Sequence, residues 1–116
     1  MTPEQFDEAV RMLRSVDSMT YEDGYQWLKG ENLQIHVEQI AELLQCEVDP
    51  IMRGKFIELV GEADLPRYIP LLVDELSHES REVRCWAYNQ LVLSEHESAR
   101  AQADRYRTTH SDEDFY

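Results

Sequence analysis

The sequence lacks the features that mark secreted, membrane-spanning or disulfide-stapled proteins. It has only two cysteines, Cys46 and Cys85. They form no CxxC pair, and each lies in an apolar helical pattern, so we expect buried, reduced thiols. No run approaches the roughly 20 apolar residues that cross a bilayer, and the acidic start MTPEQFDEAVRML is unlike a signal peptide. We therefore expect a cytoplasmic protein.

Basic residues are also scarce. The chain has 11 lysines and arginines against 24 aspartates and glutamates, which gives a formal net charge of −13. This charge repels the phosphates of nucleic acids and the headgroups of anionic lipids, so neither is an expected partner. Two interpretations stay open, because an acidic surface can attract a basic protein or can serve solubility alone.

Catalytic and metal-binding motifs are missing as well. The sequence has no GxSxG, no HExxH and no glycine-rich phosphate loop. None of its four histidines has a second histidine or cysteine at the spacing of a metal site. We therefore expect no cofactor, no metal ion and no enzymatic activity. With 24 acids, an enzyme with an unrecognised carboxylate site remains an alternative.

Apolar residues recur at helical spacing along most of the chain, which predicts an all-α fold in a single domain. Start and stop signals divide this pattern into three antiparallel helical hairpins. The predicted hairpins cover about 3–30, 33–61 and 64–107. The remaining segment, 108–116, is acidic and is predicted to be a flexible tail.

Several helix boundaries depend on single residues. The apolar stripe of the first helix is expected to reach Val16. Gly61 is expected to stop the fourth helix, because glycine adopts the left-handed conformation without strain. Pro70 cannot donate a helical hydrogen bond, so the fifth helix starts or kinks near it. Three alanines between positions 99 and 103 favour a sixth helix that runs from Ser80 to about Arg107.

Two stretches of the sequence repeat one helix pattern. The run DPIMRGKFIELV at 49–60 and the run ESREVRCWAYNQL at 79–91 align at an offset of 31 residues, which superimposes Arg53 on Arg84. A unit that can bury its apolar stripe only against a neighbour explains this duplication, because stacked units share one continuous core.

The run DLPRYIPLLVDELSHESREVRCWAYNQL resembles a HEAT repeat, with Pro70-Leu71-Leu72 in its first helix and Val83-Arg84 in its second. The preceding unit is similar but has Phe56 where the family usually has alanine. The resemblance covers about 33–93 and implies a short HEAT-like α-solenoid. HEAT-like proteins serve as scaffolds, regulators and a few enzymes, so the resemblance indicates a fold more than a function.

The resemblance also implies a role for the recurrent arginines. In the family, an arginine at this position commonly pairs with an acid of an adjacent repeat and braces the stack. Arg53 and Arg84 are therefore expected to have a structural role, and Asp49 and Asp74 are the candidate partners.

The candidate binding residues lie between the core positions of the repeated helices. At the offset of 31, Glu58 aligns with Asn89 and Lys55 aligns with Trp86, while Trp27 takes the Glu58 position in the weaker first repeat. An exposed tryptophan beside an acidic strip is typical of a protein interface. The end of the sixth helix or the tail could instead cover Trp86. The predicted partner-binding residues are Glu58, Glu62, Trp86, Asn89 and Trp27.

By size and charge, the chain resembles small bacterial immunity proteins, which neutralise a toxin made by the same strain. This resemblance implies an inhibitor of a basic toxin domain, for example a nuclease. Two alternatives remain open: a HEAT-repeat scaffold or regulatory adaptor of a cellular complex, and the enzyme with a carboxylate site. A deep cleft with converging acids would indicate the enzyme, and an open concave face would indicate a binding protein.

Overall fold

The computed structural model describes residues 1–113 and 115. Within these residues it has seven α-helices, one 3₁₀ helix at Pro66–Tyr68 and no strand, which confirms the predicted all-α fold. No helix in this part of the chain combines the length and apolar character that crossing a bilayer requires. The α-helices are α1 Pro3–Leu13, α2 Ser18–Leu28, α3 Glu31–Cys46, α4 Pro50–Ala63, α5 Ile69–Glu75, α6 Arg81–Leu93 and α7 Glu97–Thr109.

Helices that follow one another in sequence pack in pairs: α1 on α2, α3 on α4, and α5 on α6. Helix α4 also packs along α6, and α7 packs on α6. The molecule measures 43 × 27 × 22 Å along its principal axes. This arrangement places α4 and α6 side by side at the centre of the fold, so residues on their shared surface come together although they lie about 30 positions apart.

The apolar stripes form one buried core. Along α3 the recurrence of apolar residues at helical spacing corresponds to burial, since Leu33, Val37, Ile40 and Leu44 are all buried. The predicted stripe of α1 is confirmed through Leu13 and is wrong at Val16. Helix α1 ends at Leu13, so Val16 falls in the connection to α2, where it is fully exposed.

Two other predicted boundaries are wrong. Helix α4 continues through Gly61 to Ala63, and Asp64 supplies the left-handed residue that ends it, at φ 49° and ψ 48°. The predicted sixth helix breaks after Leu93 and resumes at Glu97 as a separate helix, α7. The prediction at Pro70 is confirmed, because α5 begins one residue earlier, at Ile69.

The two thiols also differ from the expectation. Both cysteines are free, but Cys46 is exposed in the last turn of α3 and Cys85 is half-buried on α6. The prediction of two buried thiols is therefore wrong for Cys46, which lies in a last turn at the surface, and only partly met by the half-buried Cys85.

The recurrent arginines brace the fold through acids later in the chain. Arg53 donates to both carboxylate oxygens of Glu75, at 2.8 and 2.6 Å, and to the backbone carbonyl of Glu47 at 2.6 Å. Arg84 repeats this geometry: it donates to Glu113 at 2.7 Å and to the backbone carbonyl six residues before it at 2.9 Å. Each arginine thus ties the start of its own helix to a later segment.

The predicted partners of these arginines are wrong. Asp49 is the N-cap of α4, where its carboxylate accepts a hydrogen bond from the backbone N–H of Met52 at 3.2 Å. Asp74 is exposed on α5. The next residue on that helix, Glu75, faces the core and reaches Arg53 instead, because adjacent helical residues point about 100° apart.

The segment predicted as a flexible tail contacts the helices. Helix α7 continues past the predicted end at Arg107, and Glu113 accepts hydrogen bonds from Arg84 and from the hydroxyl of Tyr106, the latter at 3.0 Å. The ring of Phe115 lies 5.6 Å from that of Tyr88 and 6.3 Å from that of Tyr106. Two residues of the tail, Asp114 and Tyr116, lie outside the described residues.

Acid should release the contact between Glu113 and Arg84. The hydrogen bond from Arg84 lowers the pKa of Glu113 below its ordinary value of 4.5. A lowered pKa in the folded state means that the contact stabilises the fold above pH 4.5 and is lost as the pH falls through the lowered value. In an NMR titration, the nuclear Overhauser effects between Phe115 and Tyr106 should therefore persist at pH 4.5 and disappear at lower pH. The Glu113→Gln variant is the control. If wild type and control lose these signals at the same pH, Glu113 is not the titrating group.

Candidate functional site

A groove of about 750 Å³ lies between α4, α6 and the connection from α6 to α7. We term it the α4–α6 groove. Trp86 and Leu93 supply large apolar surfaces in its wall, and no lysine or arginine of the described residues lines it. Its acidic lining residues are Glu58, Glu62, Asp64 and Glu95. The groove therefore combines a concentration of negative charge with apolar surface, a combination suited to cationic groups carried on a protein.

Three of the five predicted partner-binding residues, Glu58, Glu62 and Trp86, meet in this groove. Asn89 does not line it, because the side-chain amide of Asn89 turns along α6 and donates to Sγ of Cys85 at 3.4 Å. Trp27 does not line it either and packs half-buried against the core. The residue after Asn89, Gln90, faces the groove in its place.

Trp86 is half-buried, and its ring packs against α4 at Gly54. A Cβ atom at position 54 would lie 2.5 Å from Cδ1 and 2.7 Å from Nε1 of the Trp86 ring. The close approach of the two helices therefore depends on the missing side chain of glycine. Trp86 also lines the groove, where a partner can reach it.

The Gly54→Ala substitution should lower the free energy of unfolding of the wild type and raise that of a Trp86→Ala variant. In the wild type, the added methyl group displaces the Trp86 ring, and overpacking of this kind costs about 1–3 kcal/mol. In a Trp86→Ala background the space is empty, so the better helix propensity of alanine should stabilise the protein by up to about 1 kcal/mol. Urea unfolding of the four proteins measures both effects. The same sign in both backgrounds would contradict the packing described here.

Asp64 builds the end of the groove. Its carboxylate accepts from Oγ of Ser94 at 2.6 Å and from the backbone N–H of Glu95 at 2.9 Å, and its carbonyl lies 2.8 Å from Nε2 of His96. These contacts hold the connection that interrupts the predicted sixth helix and place Glu95 at the groove. No local pattern in the sequence indicates these contacts, because they join segments about 30 residues apart.

Two tyrosines of α2 lie beside Glu58. Tyr25 is buried, and its hydroxyl stands next to Glu58 without completing a hydrogen bond to it. Burial, and then the charges of Glu58 and Glu62, raise the pKa of Tyr25. Burial and the charge of Glu58 likewise raise the pKa of Tyr21. Both phenols therefore stay neutral and place uncharged aromatic surface beside the carboxylate.

Lysines from the first half of the chain offset some of the local charge. Lys29 Nζ lies 3.7 Å from Glu62 and 4.5 Å from the centre of the Tyr25 ring. Lys55 Nζ donates to the backbone carbonyl of Leu13 at 2.8 Å and lies 4.2 Å from the centre of the Tyr21 ring.

Glu58 itself is half-buried and has no ion pair with any described residue, and the neighbouring hydroxyl of Tyr25 lies outside the geometry of a hydrogen bond. Removing a charge from water without a partner is costly, so a partly buried carboxylate favours a cationic neighbour. The groove therefore contains a negative charge that the chain itself leaves unmatched. Across residues 1–113 and 115, no group of three or more histidine, cysteine, aspartate or glutamate side chains is placed to hold a metal ion.

Comparison of the chain with protein-family models, with curated proteins and with solved structures found no match.

Proposed function

We propose that the protein is an acidic binding module that takes up a basic protein in the α4–α6 groove. The unmatched charge of Glu58, set among three further acids beside Trp86, is the observation that carries this proposal. Complementary charge steers a basic partner toward the groove, and burial of an aromatic side chain then slows its dissociation.

The most specific form of the proposal is an immunity protein that binds and inhibits a basic toxin domain, for example a nuclease. Its basis is the short chain of 116 residues, the net charge of −13 and the HEAT-like pattern of the sequence. An acidic surface that binds beside the toxin's active site can block the access of a phosphate-bearing substrate.

The proposed architecture is a short HEAT-like solenoid of three antiparallel hairpins, α1–α2, α3–α4 and α5–α6. Sequential pair packing and the repeated geometry of Arg53 and Arg84 support it. In this architecture α7 and the tail close the last hairpin, because Glu113 takes the position at Arg84 that Glu75 takes at Arg53. Terminal units of solenoids are expected to differ in this way.

The test is affinity capture from a lysate of the cells that make the protein, at low salt, with three baits. One bait is the wild type, and the second carries Glu58→Gln and Glu62→Gln. The third carries Glu38→Gln and Glu42→Gln, which remove the same charge at the same spacing from exposed positions of α3. Captured proteins are eluted with a salt gradient and identified by mass spectrometry.

We expect the wild type and the α3 control to retain the same basic protein, and the groove variant to retain at least about tenfold less of it. Inhibition of that protein's hydrolytic activity by the purified wild type would support the immunity function. A cellular complex in its place would support the adaptor. Equal capture by all three baits would contradict binding in the groove.

A further inference from the structure

We infer that the α4–α6 groove recognises an arginine of its partner, with the guanidinium between the carboxylate of Glu58 and the ring of Trp86, and that Tyr25 positions Glu58 for this contact. The inference rests on the proposed function and adds the chemical group that the groove selects. The occupant is an arginine-bearing protein segment, because the charge of the groove is complementary to it.

The first step is that Glu58 is the acid available for a new ion pair. Glu62 faces Lys29 at 3.7 Å, and the carboxylate of Asp64 is engaged by the connection between α6 and α7. Glu95 is exposed, where water solvates its charge. Glu58 is half-buried and has no ion pair with any described residue. A bound cation therefore forms its most favourable ion pair with Glu58.

The second step is independent of charge. Tyr25 is 4% exposed, and among the buried side-chain nitrogen and oxygen atoms of the described residues its hydroxyl is the one without a hydrogen-bond partner. A buried hydroxyl without a partner is unfavourable. Because this hydroxyl stands beside Glu58, a small rotation of the carboxylate around a bound cation lets Tyr25 donate to it. Binding thereby satisfies a group that the free protein leaves unpaired.

The Trp86 ring and the Glu58 carboxylate favour arginine over lysine. Lys29 and Lys55 lie over the rings of Tyr25 and Tyr21, whereas no lysine or arginine of the described residues lies over Trp86. A guanidinium is planar, so it can stack on an indole ring and donate two parallel hydrogen bonds to one carboxylate. The ammonium group of lysine is a compact, strongly hydrated charge that does neither as well.

The probes for this inference are acetylated and amidated hexa-arginine and hexa-lysine peptides, which carry equal charge. Isothermal titration calorimetry at low ionic strength gives the affinity of each peptide. We expect the wild type to bind hexa-arginine about tenfold more tightly than hexa-lysine. Glu58→Gln should weaken the binding of hexa-arginine about tenfold, while the α3 control Glu38→Gln should change it less than about twofold.

Tyr25→Phe tests the positioning role. It should weaken hexa-arginine binding about threefold to tenfold and leave hexa-lysine binding nearly unchanged. The melting temperature should stay the same or rise, because the substitution removes a buried hydroxyl without a partner. A lower melting temperature together with equal weakening of both peptides would overturn the positioning role.

The remaining outcomes separate this inference from the proposed function. Equal affinities for the two peptides, both weakened by Glu58→Gln but not by Glu38→Gln, would overturn the selection of arginine and leave an acidic binding groove. Affinities that Glu58→Gln leaves unchanged, or the absence of binding by either peptide, would overturn the inference and count against the groove as a binding site.

Discussion

Replacing Arg53 with alanine should lower the free energy of unfolding by about 3–5 kcal/mol. The partner carboxylate of Glu75 has a side-chain exposure of 5%, so the variant leaves a buried negative charge without its cation. It also leaves the carbonyl of Glu47 without the hydrogen bond at 2.6 Å that Arg53 donates. Urea unfolding at neutral pH, followed by far-ultraviolet circular dichroism, measures the loss.

Two variants sharpen this prediction. The double variant Arg53→Leu with Glu75→Leu removes both charges. It should regain most of the stability that Arg53→Leu alone loses, because a buried ion pair is often replaceable by apolar residues of similar volume. Arg11→Ala breaks an exposed ion pair with Glu8 and should change the free energy of unfolding little, because water screens such pairs. If Arg53→Ala costs no more than Arg11→Ala, the brace described here is not a stabilising contact.

Phe56→Ala should cost about 3–5 kcal/mol as well, through the cavity that it leaves. The Phe56 ring is fully buried, and the guanidinium carbon of Arg14 lies 5.8 Å from its centre. Arg14 in turn pairs with Glu47 at 2.7 Å. Phe56 therefore links the end of α1 to the helices that follow, where the corresponding position on α6 has only Ala87.

The Phe56 variant should also show where the fold loosens. Because the ring supports Arg14, hydrogen exchange in α1 and α2 should accelerate more than exchange in α6. Ile51→Ala on the same helix is the control, since Ile51 is exposed and should cost less than about 1 kcal/mol. If Phe56→Ala and Ile51→Ala lower the free energy of unfolding by similar amounts, Phe56 is not the link between the helix pairs.

Short-range signals in the sequence predicted much of the fold. Thr2 and Gln5 form a capping box at the start of α1, and Asp49 caps α4 with Pro50 in its first turn, so both starts are encoded within a few residues. The helix ends that were predicted wrongly, those of α4 and α6, depend on contacts between residues distant in sequence. The break after Leu93 is held by Asp64, and the helical conformation at Gly61 leaves room for Gln90, whose Cβ would lie 2.7 Å from an added methyl group.

The candidate site was predictable to the extent that the repeat pattern holds. The offset of 31 residues aligned α4 with α6 and brought Glu58, Glu62 and Trp86 to one surface. It failed for the first two helices, where Trp27 was assigned the Glu58 position. The α2 residue that stands beside Glu58 is Tyr25, because the first unit aligns poorly with the repeat and its register is set by packing.

Photocrosslinking from two matched positions shows whether a partner binds in the α4–α6 groove. A benzophenone amino acid replaces Leu93, which is 75% exposed on the groove, or Ile35, which is 71% exposed on α3. The proposed function predicts that illumination in lysate crosslinks one basic protein to position 93 and not to position 35. Crosslinking from position 35 alone, or equally from both positions, would contradict a partner bound in the α4–α6 groove.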